Sequence, residues 1–215
     1  MVINSDDVSL KDKTILITGA ASGLGKAWAQ KFNDEGSKVF ACDIEEAGLL
    51  ELEKLGIKVS LVDVSSPEEI SSFINAAYDK TGSVDILFNN AGIGVPAQSI
   101  DEMPFENWKS VVDINLNGMF LCAKYAFALM RDQTPQGGRI INNGSVSSVT
   151  PRPGSIPYTA TKHGVTGMTK TISLDGRKYD ICCSQINIGN AETPMTERMK
   201  DCLLYTSPSP RDTIR

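Results

Sequence analysis

Tyr158 and Lys162 are the two residues of this chain whose types and spacing are most suited to acid-base chemistry at a carbon-oxygen bond. They lie in the segment "YTATK", and side chains four apart share one face of a helix. A free tyrosine has a pKa near 10, but a neighbouring ammonium group favours the phenolate form. The pair therefore predicts a proton acceptor for an alcohol, or a proton donor in the reverse direction. A packed aromatic ring and a lysine stretched along a helix surface are the structural alternatives.

A glycine-rich segment near the start of the chain, "TGAASGLG" from Thr18 to Gly25, has the composition of a phosphate-binding turn. It follows the apolar run "TILIT" and leads into a helical segment, so that a pyrophosphate would meet a close backbone and a helix N-terminus. Asp43 ends the next apolar run, where a carboxylate accepts hydrogen bonds from ribose hydroxyls and repels a 2′-phosphate. "AASGL" contains no arginine or lysine. These residues predict a dinucleotide site that favours NAD over NADP; a tight turn and a solvated carboxylate are the structural alternatives.

The elements that must position these residues alternate regularly along the chain. Helical spacing occurs at 26–34, 67–80 and 105–130, between short apolar runs: "TILIT", "KVFACD", "KVSLVD", "VDILFN", "RIINNG" and "DICCSQINI". Nearly continuous apolar strands are typical of a parallel sheet with helices on both faces. The pattern predicts an α/β fold of the Rossmann type, a doubly wound parallel sheet in three layers.

In this order, the motifs resemble those of the short-chain dehydrogenase/reductase (SDR) family. The loop fits T-G-x-x-x-G-x-G, "YTATK" fits Y-x-x-x-K, and "NNAG" ends at Gly92. Ser145 lies before Tyr158, Asn115 lies in "VVDINLNGMF", and Asp63-Val64 close the third apolar run. The resemblance extends along nearly the whole chain to Met195.

The resemblance implies an oxidoreductase that transfers a hydride between a nicotinamide cofactor and a secondary alcohol or ketone. It assigns catalysis to Asn115, Ser145, Tyr158 and Lys162. Ser145 would hold the substrate oxygen, Lys162 would also bind the nicotinamide ribose, and Asn115 would hold a water of a proton relay. The positions it assigns to cofactor contacts are Thr18, Gly19, Ser22, Gly23, Leu24, Gly25, Asp43, Asp63, Val64, Asn90, Ala91, Gly92, Tyr158, Lys162, Ile188 and Thr193.

Two positions depart from the family pattern, and the sequence does not identify one substrate. Ile188 stands where proline is usual, which removes a fixed backbone angle, and Gly144 stands where a second serine is common. Arg152 is a candidate partner for an anionic substrate, although a solvated loop arginine is the favoured interpretation. Reductases of 3-oxoacyl groups, dehydrogenases of steroids or polyols, and xenobiotic carbonyl reductases all fit.

Other functions and partners were weighed on the same residues. A non-catalytic dinucleotide-binding sensor or scaffold is the main alternative, and a nucleotide-sugar isomerase or dehydratase ranks last. His163 points away from its neighbour Lys162 and receives no role. The family commonly forms homodimers or homotetramers through its long helices, here 105–130 and 158–178.

Composition excludes several classes of partner. The chain has 215 residues and a net charge of -5, without a run of basic residues, so nucleic acid is not expected as a partner. We expect no membrane-spanning segment, because the most apolar helical stretch is interrupted by Lys124 and is too short. The five cysteines lack metal-ligand spacing, so no metal is expected. The acidic start predicts a cytoplasmic protein.

The last residues differ in character from the rest of the chain. "CLLYTSPSPRD", Cys202 to Asp212, resembles the translation of a transposon-end adapter used in sequencing libraries. We therefore interpret 1–201 as an NAD(P)-binding Rossmann domain that is incomplete at its C-terminus, and 202–215 as a non-native tail. The family's last strand and its substrate-covering helical segment are predicted to be missing.

Overall fold

Six parallel strands form one sheet in the computed structural model, which describes residues 9–189, 191 and 193. The strand order is β3-β2-β1-β4-β5-β6, and every neighbouring pair is parallel. The strands are β1 Thr14–Thr18, β2 Lys38–Asp43, β3 Lys58–Leu61, β4 Ile86–Asn89, β5 Gly138–Asn143 and β6 Ile181–Ile186. This order confirms the Rossmann-type doubly wound sheet predicted from the alternating pattern.

Six α-helices connect the strands. They are α1 Gly23–Asp34, α2 Glu46–Glu53, α3 Pro67–Thr81, α4 Phe105–Val112, α5 Met119–Asp132 and α6 Ile156–Gly176. α3 begins at the first residue of the predicted helical range, with the Ser66 hydroxyl accepting from the Glu69 backbone and Pro67 in the first turn. The predicted helical run 105–130 is continuous, but its centre, Asp113–Gly118, has π-helical hydrogen bonding. The spacing of apolar residues does not distinguish this widened turn from an α-helix.

Alternate strand residues pack into two cores, one on each face of the sheet. Ile15 and Ile17 of β1 point to the core formed with α1 and α2, whereas Leu16 points to the core formed with α3 and α5. Nearly all of these side chains are withdrawn from solvent, which is the main source of stability in such a domain. The three-layer arrangement is therefore present.

On the sheet face that carries α1 and α2, the side chains of β5 and β6 are less buried than those on the opposite face. Ile141 is half-buried, Cys182 is exposed, and Ile186 retains 38% of its exposure. The opposite face of the same strands is buried, with Ile140 and Ile181 almost fully enclosed. The predicted tail, and the place where a further strand would follow, lie outside the described residues.

The carboxyl ends of the strands lie along one edge of the sheet. The chain leaves β1 and β4 in opposite directions at this edge, and such a switch point opens a crevice in doubly wound sheets. The loops that follow β1 to β5 border this crevice. Within the part of the chain that the structure describes, no helix is both long and apolar enough to cross a bilayer.

Candidate active site

A cleft of about 290 Å³ occupies the switch point and brings together most of the residues singled out in the sequence. The predicted residues that line it are Gly19, Ser22, Gly23, Leu24, Gly25, Asp43, Asp63, Val64, Asn90, Ala91, Gly92, Ser145, Tyr158, Lys162, Ile188 and Thr193. Thr18 and Asn115 are buried and lie outside this lining. The cleft thus joins the glycine turn to the tyrosine and lysine of α6.

The glycine turn is closely packed between β1 and α1. Gly19 has a φ of +66°, a conformation in which side chains are strained. A Cβ on Gly25 would lie 2.1 Å from the carbonyl oxygen of Gly19, so no side chain fits there. Ser22 precedes α1 without a side-chain capping bond, which leaves N–H groups of the first turn free to bind an anion.

Backbone amides hold the Asp43 carboxylate at the end of β2. One oxygen accepts from the Ala21 amide at 2.9 Å, and the other accepts from Ile44 at 2.7 Å and Glu45 at 3.1 Å. Asp43 is therefore fixed beside the glycine turn as an acceptor. Lys26, at the start of α1, forms an ion pair with Glu51 of α2.

Hydrogen bonds connect the glycine turn to the end of the cleft that holds Tyr158 and Lys162. The Thr18 hydroxyl accepts from the amides of Asn90 and Ala91, both at 3.0 Å, and the Asn90 side chain donates back to the carbonyl of Thr18 at 3.0 Å. The Asn143 side chain donates to Asn90 at 2.7 Å. The Asn143 carbonyl in turn accepts from Lys162 Nζ at 2.7 Å. This strand-end network joins β1, β4, β5 and α6.

Lys162 is buried, with 3% of its surface exposed. Burial lowers the pKa of its ammonium group to about 8, because the charged form loses solvation. Its Nζ lies 5.5 Å from the centre of the Tyr158 ring. The two side chains therefore share one pocket, as the spacing of four residues predicts.

The pKa of Tyr158 is raised above its usual value, because burial disfavours the phenolate. Hydrogen bonding with Ser145 and the positive charge of Arg152 act in the opposite direction, but they do not outweigh burial. This direction differs from the one expected from the sequence, where the lysine was expected to dominate. Spacing along a helix indicates proximity and carries no measure of solvent exclusion.

Ser145 is aimed by a short helical turn, Val146–Ser148. Its Oγ accepts from the Ser147 amide at 3.1 Å, so its hydroxyl proton stays directed away from this amide, on the side where it interacts with the Tyr158 phenol. The structure also accounts for a glycine at the preceding position, 144, because a Cβ there would lie 2.4 Å from Asn187 Oδ1. The usual serine would not fit at this position without a shift of its neighbours.

Asn115 lies in the π-helical segment and is fully buried. Its side chain accepts from the Ile93 amide at 2.8 Å and donates to the Ile93 carbonyl at 2.9 Å. This pair fixes the loop after β4, next to Gly92 in the cleft wall. The side-chain amide is thus occupied by the protein itself.

Several residues that line the cleft were not predicted from the sequence. These are Ile44, Val62, Ile93, Ile114 and Asn143. Arg152, which the sequence offered as a candidate partner for an anionic substrate, also lines the cleft and is half-buried, although a solvated arginine was favoured. Within the part of the chain that the structure describes, Asn143 Oδ1 is a buried oxygen without a hydrogen-bond partner. The asparagine pair "NN" at the end of β5 was the available signal. Asn89 and Asn90 also form such a pair, and both pairs stand at strand ends.

Two further residues named in the sequence, His163 and Ile188, differ in their position relative to the cleft. His163 is exposed, and its Nδ1 contacts the Thr159 carbonyl at 2.9 Å. Ile188 lines the cleft, and its carbonyl accepts from the Val146 amide at 3.2 Å. Among residues 9–189, 191 and 193, no group of three His, Cys, Asp or Glu side chains is placed to hold a metal ion.

Known proteins with similar sequences and structures were compared with this chain. The family profile described as short chain dehydrogenase matches residues 13–202. A 3-oxoacyl-[acyl-carrier-protein] reductase of Thermotoga maritima is 37% identical over 198 residues, which span 89% of this chain and 79% of the relative. A 3beta-hydroxysteroid dehydrogenase of Mediterraneibacter gnavus is 34% identical over 193 residues, 87% of this chain and 69% of the relative.

Solved structures give the same result. The 3-ketoacyl-(acyl-carrier-protein) reductase of Brucella melitensis, crystallised with NADH, superposes with a TM-score of 0.84 at 31% identity. The match covers 88% of this chain and 80% of that one. With the parallel sheet and the cleft at its switch point, these matches establish that the chain belongs to the short-chain dehydrogenase family.

Proposed function

We propose that this chain is an NAD-dependent oxidoreductase that interconverts a secondary alcohol and a ketone, with Tyr158 as the general acid and base. The observation that carries the proposal is the shared cleft, in which Ser145, Tyr158 and Lys162 face the same space as the glycine turn. A non-catalytic sensor would need the turn but not the buried lysine beside a buried tyrosine.

The cleft fits a nicotinamide dinucleotide along its length. The uncapped start of α1 suits the pyrophosphate, and Asp43 suits the hydroxyls of the adenosine ribose. At the other end, the buried Asn143 Oδ1 has no partner among the described residues, and a ribose hydroxyl or a carboxamide would supply one. When bound, the nicotinamide ring supplies the hydride acceptor or donor.

The preference for NAD rests on charge at the adenosine end. The Asp43 carboxylate would repel a 2′-phosphate, whereas arginine or lysine would attract it. Lys26, at the start of α1, is paired with Glu51. We therefore expect NAD to be used more efficiently than NADP.

Ser145 and Tyr158 would act together on the substrate oxygen. The Ser145 hydroxyl donates to this oxygen and stabilises the charge that develops there. Tyr158 donates its proton during ketone reduction and accepts the hydroxyl proton during alcohol oxidation. Because burial raises the pKa of Tyr158, the group is protonated at neutral pH in the free enzyme and is ready to act as an acid.

Lys162 and Asn115 would support the proton transfer. Lys162 holds a partly charged amine below the Tyr158 ring, which favours the phenolate when the proton leaves. Asn115 fixes the backbone of Ile93, so that the cleft wall keeps its shape. We retain the water relay at Asn115 as part of the proposal.

Replacement of Tyr158 by phenylalanine tests the mechanism. We expect Tyr158→Phe to lower kcat by about a hundredfold or more, since the proton donor is lost while the ring still packs. NADH-coupled turnover of a panel of ketones measures this change, and the same assay with NADPH tests the cofactor preference. Tyr125→Phe is the matched control, because Tyr125 is also half-buried but lies outside the cleft.

The alternative has a distinct signature in the same experiment. Unchanged turnover in Tyr158→Phe would refute the proposed role of Tyr158. If the wild type binds NADH but transfers no hydride to any ketone of the panel, the chain is a sensor or scaffold. Binding is followed by NADH fluorescence, so the two outcomes are separable.

We also propose that the protein forms a homodimer or homotetramer through the face that carries α4, α5 and α6. Large apolar side chains are exposed on these helices, namely Phe105 on α4, Phe120 on α5 and Leu174 on α6. Exposed apolar residues gathered on one layer are typical of a protein interface.

A further inference from the structure

We propose that Arg152 binds a carboxylate group of the substrate, so that the enzyme acts on a secondary alcohol or ketone that is also an acid. This inference rests on the proposed function, since it names the substrate class of the same cleft. The step it describes is binding alone, an ion pair between the guanidinium group and the carboxylate.

Arg152 lies where a substrate, but not the adenosine half of a cofactor, would reach it. It lines the cleft together with Ser145 and Tyr158, in the loop that follows β5. The same residue also lines a second cavity of about 260 Å³, bordered by Gln98, Ile100, Pro151, Arg152, Gly154, Ser155, Ile156 and Thr159. Arg152 therefore stands between the catalytic groups and a further space that has apolar and hydroxyl walls.

The charges of the cleft are separated along its length. Asp43 and Asp63 follow β2 and β3, on one side of the switch point, whereas Arg152 and Lys162 belong to the side of β5. An anionic group is repelled at the first end and attracted at the second. Of the two cations, Lys162 is buried and already donates to the Asn143 carbonyl, which leaves Arg152 to meet a carboxylate.

The guanidinium group of Arg152 makes no hydrogen bond or ion pair with the part of the chain that the structure describes. It is nevertheless half-buried. A cation withdrawn from water without a counterion gains more from an anion than an exposed one does. The planar group offers two parallel N–H donors that match the two oxygens of a carboxylate.

The backbone around Arg152 is held in place. Its carbonyl accepts from the Ser155 hydroxyl at 2.7 Å, and the Gln98 amide donates to the Gly154 carbonyl at 3.1 Å. The side chain is near enough to Tyr158 for its charge to lower the pKa of the phenol. A carboxylate bound at Arg152 would thus lie in the same cleft as the carbon at which Tyr158 acts.

Binding of a non-reactive acid tests the site without relying on turnover. Calorimetric titration of the full chain with hexanoate, in the presence of NAD, is compared with titration by the neutral hexanamide. We expect saturable hexanoate binding that weakens about tenfold or more in Arg152→Gln. Arg152→Lys should recover part of this loss, since it keeps the charge. Arg177→Gln, which removes an exposed arginine outside both cavities, should leave binding unchanged.

Turnover of a matched pair of ketones extends the test to the reaction. Reduction of 3-oxobutanoate should lose about tenfold or more in kcat/KM in Arg152→Gln, whereas reduction of its methyl ester should change little. Equal losses for both ketones would overturn the proposal, as would hexanoate binding that is absent from the wild type or equal in Arg152→Gln. If hexanoate binds through Arg152 but no ketone is reduced, the carboxylate site stands and the proposed oxidoreductase function fails.

Discussion

Lys162 and Tyr158 show how strongly burial changes the properties of a pair that spacing alone brings together. The "YTATK" motif predicts their common helix face, and the structure places both beside Ser145 in the cleft. Burial moves both pKa values toward the neutral forms, down for Lys162 and up for Tyr158. In the folded enzyme, the charged states depend on what the cleft binds.

The lowered pKa of Lys162 makes stability depend on pH. Below about pH 8 the amine is protonated in both the folded and the unfolded states, and the folded state bears the cost of a buried charge. Above this value the folded state loses the proton while the unfolded state keeps it up to about 10.5, so the free energy of unfolding rises with pH. Relative to that of Lys162→Met, the free energy of unfolding of the wild type should rise by about 2 kcal/mol between pH 8 and pH 10.

Urea unfolding of both proteins across this pH range measures the gain. The comparison cancels the titration of other groups, because only Lys162 differs. A difference that stays constant from pH 8 to pH 10 would show that Lys162 titrates normally in the folded protein.

At the residue scale, the sequence predicted the proposed catalytic residues more fully than it predicted the residues around them. Ser145, Tyr158 and Lys162 were recognisable from type and spacing. Asn143 was not assigned to the cleft, because its position depends on the register of β5, and the half-burial of Arg152 was not expected, because it depends on the path of a loop. Neither is encoded in a local pattern.

Among the elements, the glycine turn and the long central helix differ in how far the sequence predicted them. The turn was recognised by its glycines and by its place between a strand and a helix. The π-helical segment at 113–118 was not, because its residues keep the apolar spacing of an ordinary helix. Only the hydrogen bonds of Asn115 with Ile93 reveal what the widened turn does.

Two glycine-to-alanine changes compare a closely packed glycine of the turn with an unpacked glycine of a helix. Gly25→Ala should destabilise the protein by roughly 1–3 kcal/mol and weaken NADH binding, because the new methyl group meets the Gly19 carbonyl. Gly167→Ala in α6 should stabilise it by about 0.5–1 kcal/mol, since nothing lies within 4 Å of its added Cβ. Denaturant unfolding and NADH titration of both variants provide the measurement. Equal effects of the two changes would contradict the packing of the turn.

For the whole molecule, the alternation of strands and helices was enough to predict the sheet, because a parallel sheet needs a crossover between successive strands. The extent of helix cover was not predictable in this way. The sequence pattern indicated helices on both faces of the sheet without indicating how far each helix extends, and Cys182 and Ile186 are exposed on one face of β6. Which helix covers which strand depends on connections that a single strand pattern does not contain.

We predict that the protein assembles into an oligomer through the helix layer formed by α4, α5 and α6. Phe120→Glu should shift the protein from a dimer or tetramer toward a monomer, because a buried charge would face an apolar interface. Light scattering after size-exclusion chromatography measures the mass. Leu61→Glu is the control, since Leu61 is similarly exposed but lies on β3 at the far edge of the sheet. A monomeric wild type, or a dimer that tolerates Phe120→Glu, would refute this interface.

The strand-end network that joins Thr18, Asn90, Asn143 and Lys162 divides the protein into a part that tolerates redesign and a part that does not. The lysine cannot be relocated without disturbing the turn after β1, because each member holds the next. The loops at 94–103 and 149–155 are attached differently, through a backbone bond between Gln98 and Gly154. Transplanting these two loops together would therefore exchange the chemical selectivity of the pocket while the reaction machinery beneath it stays intact.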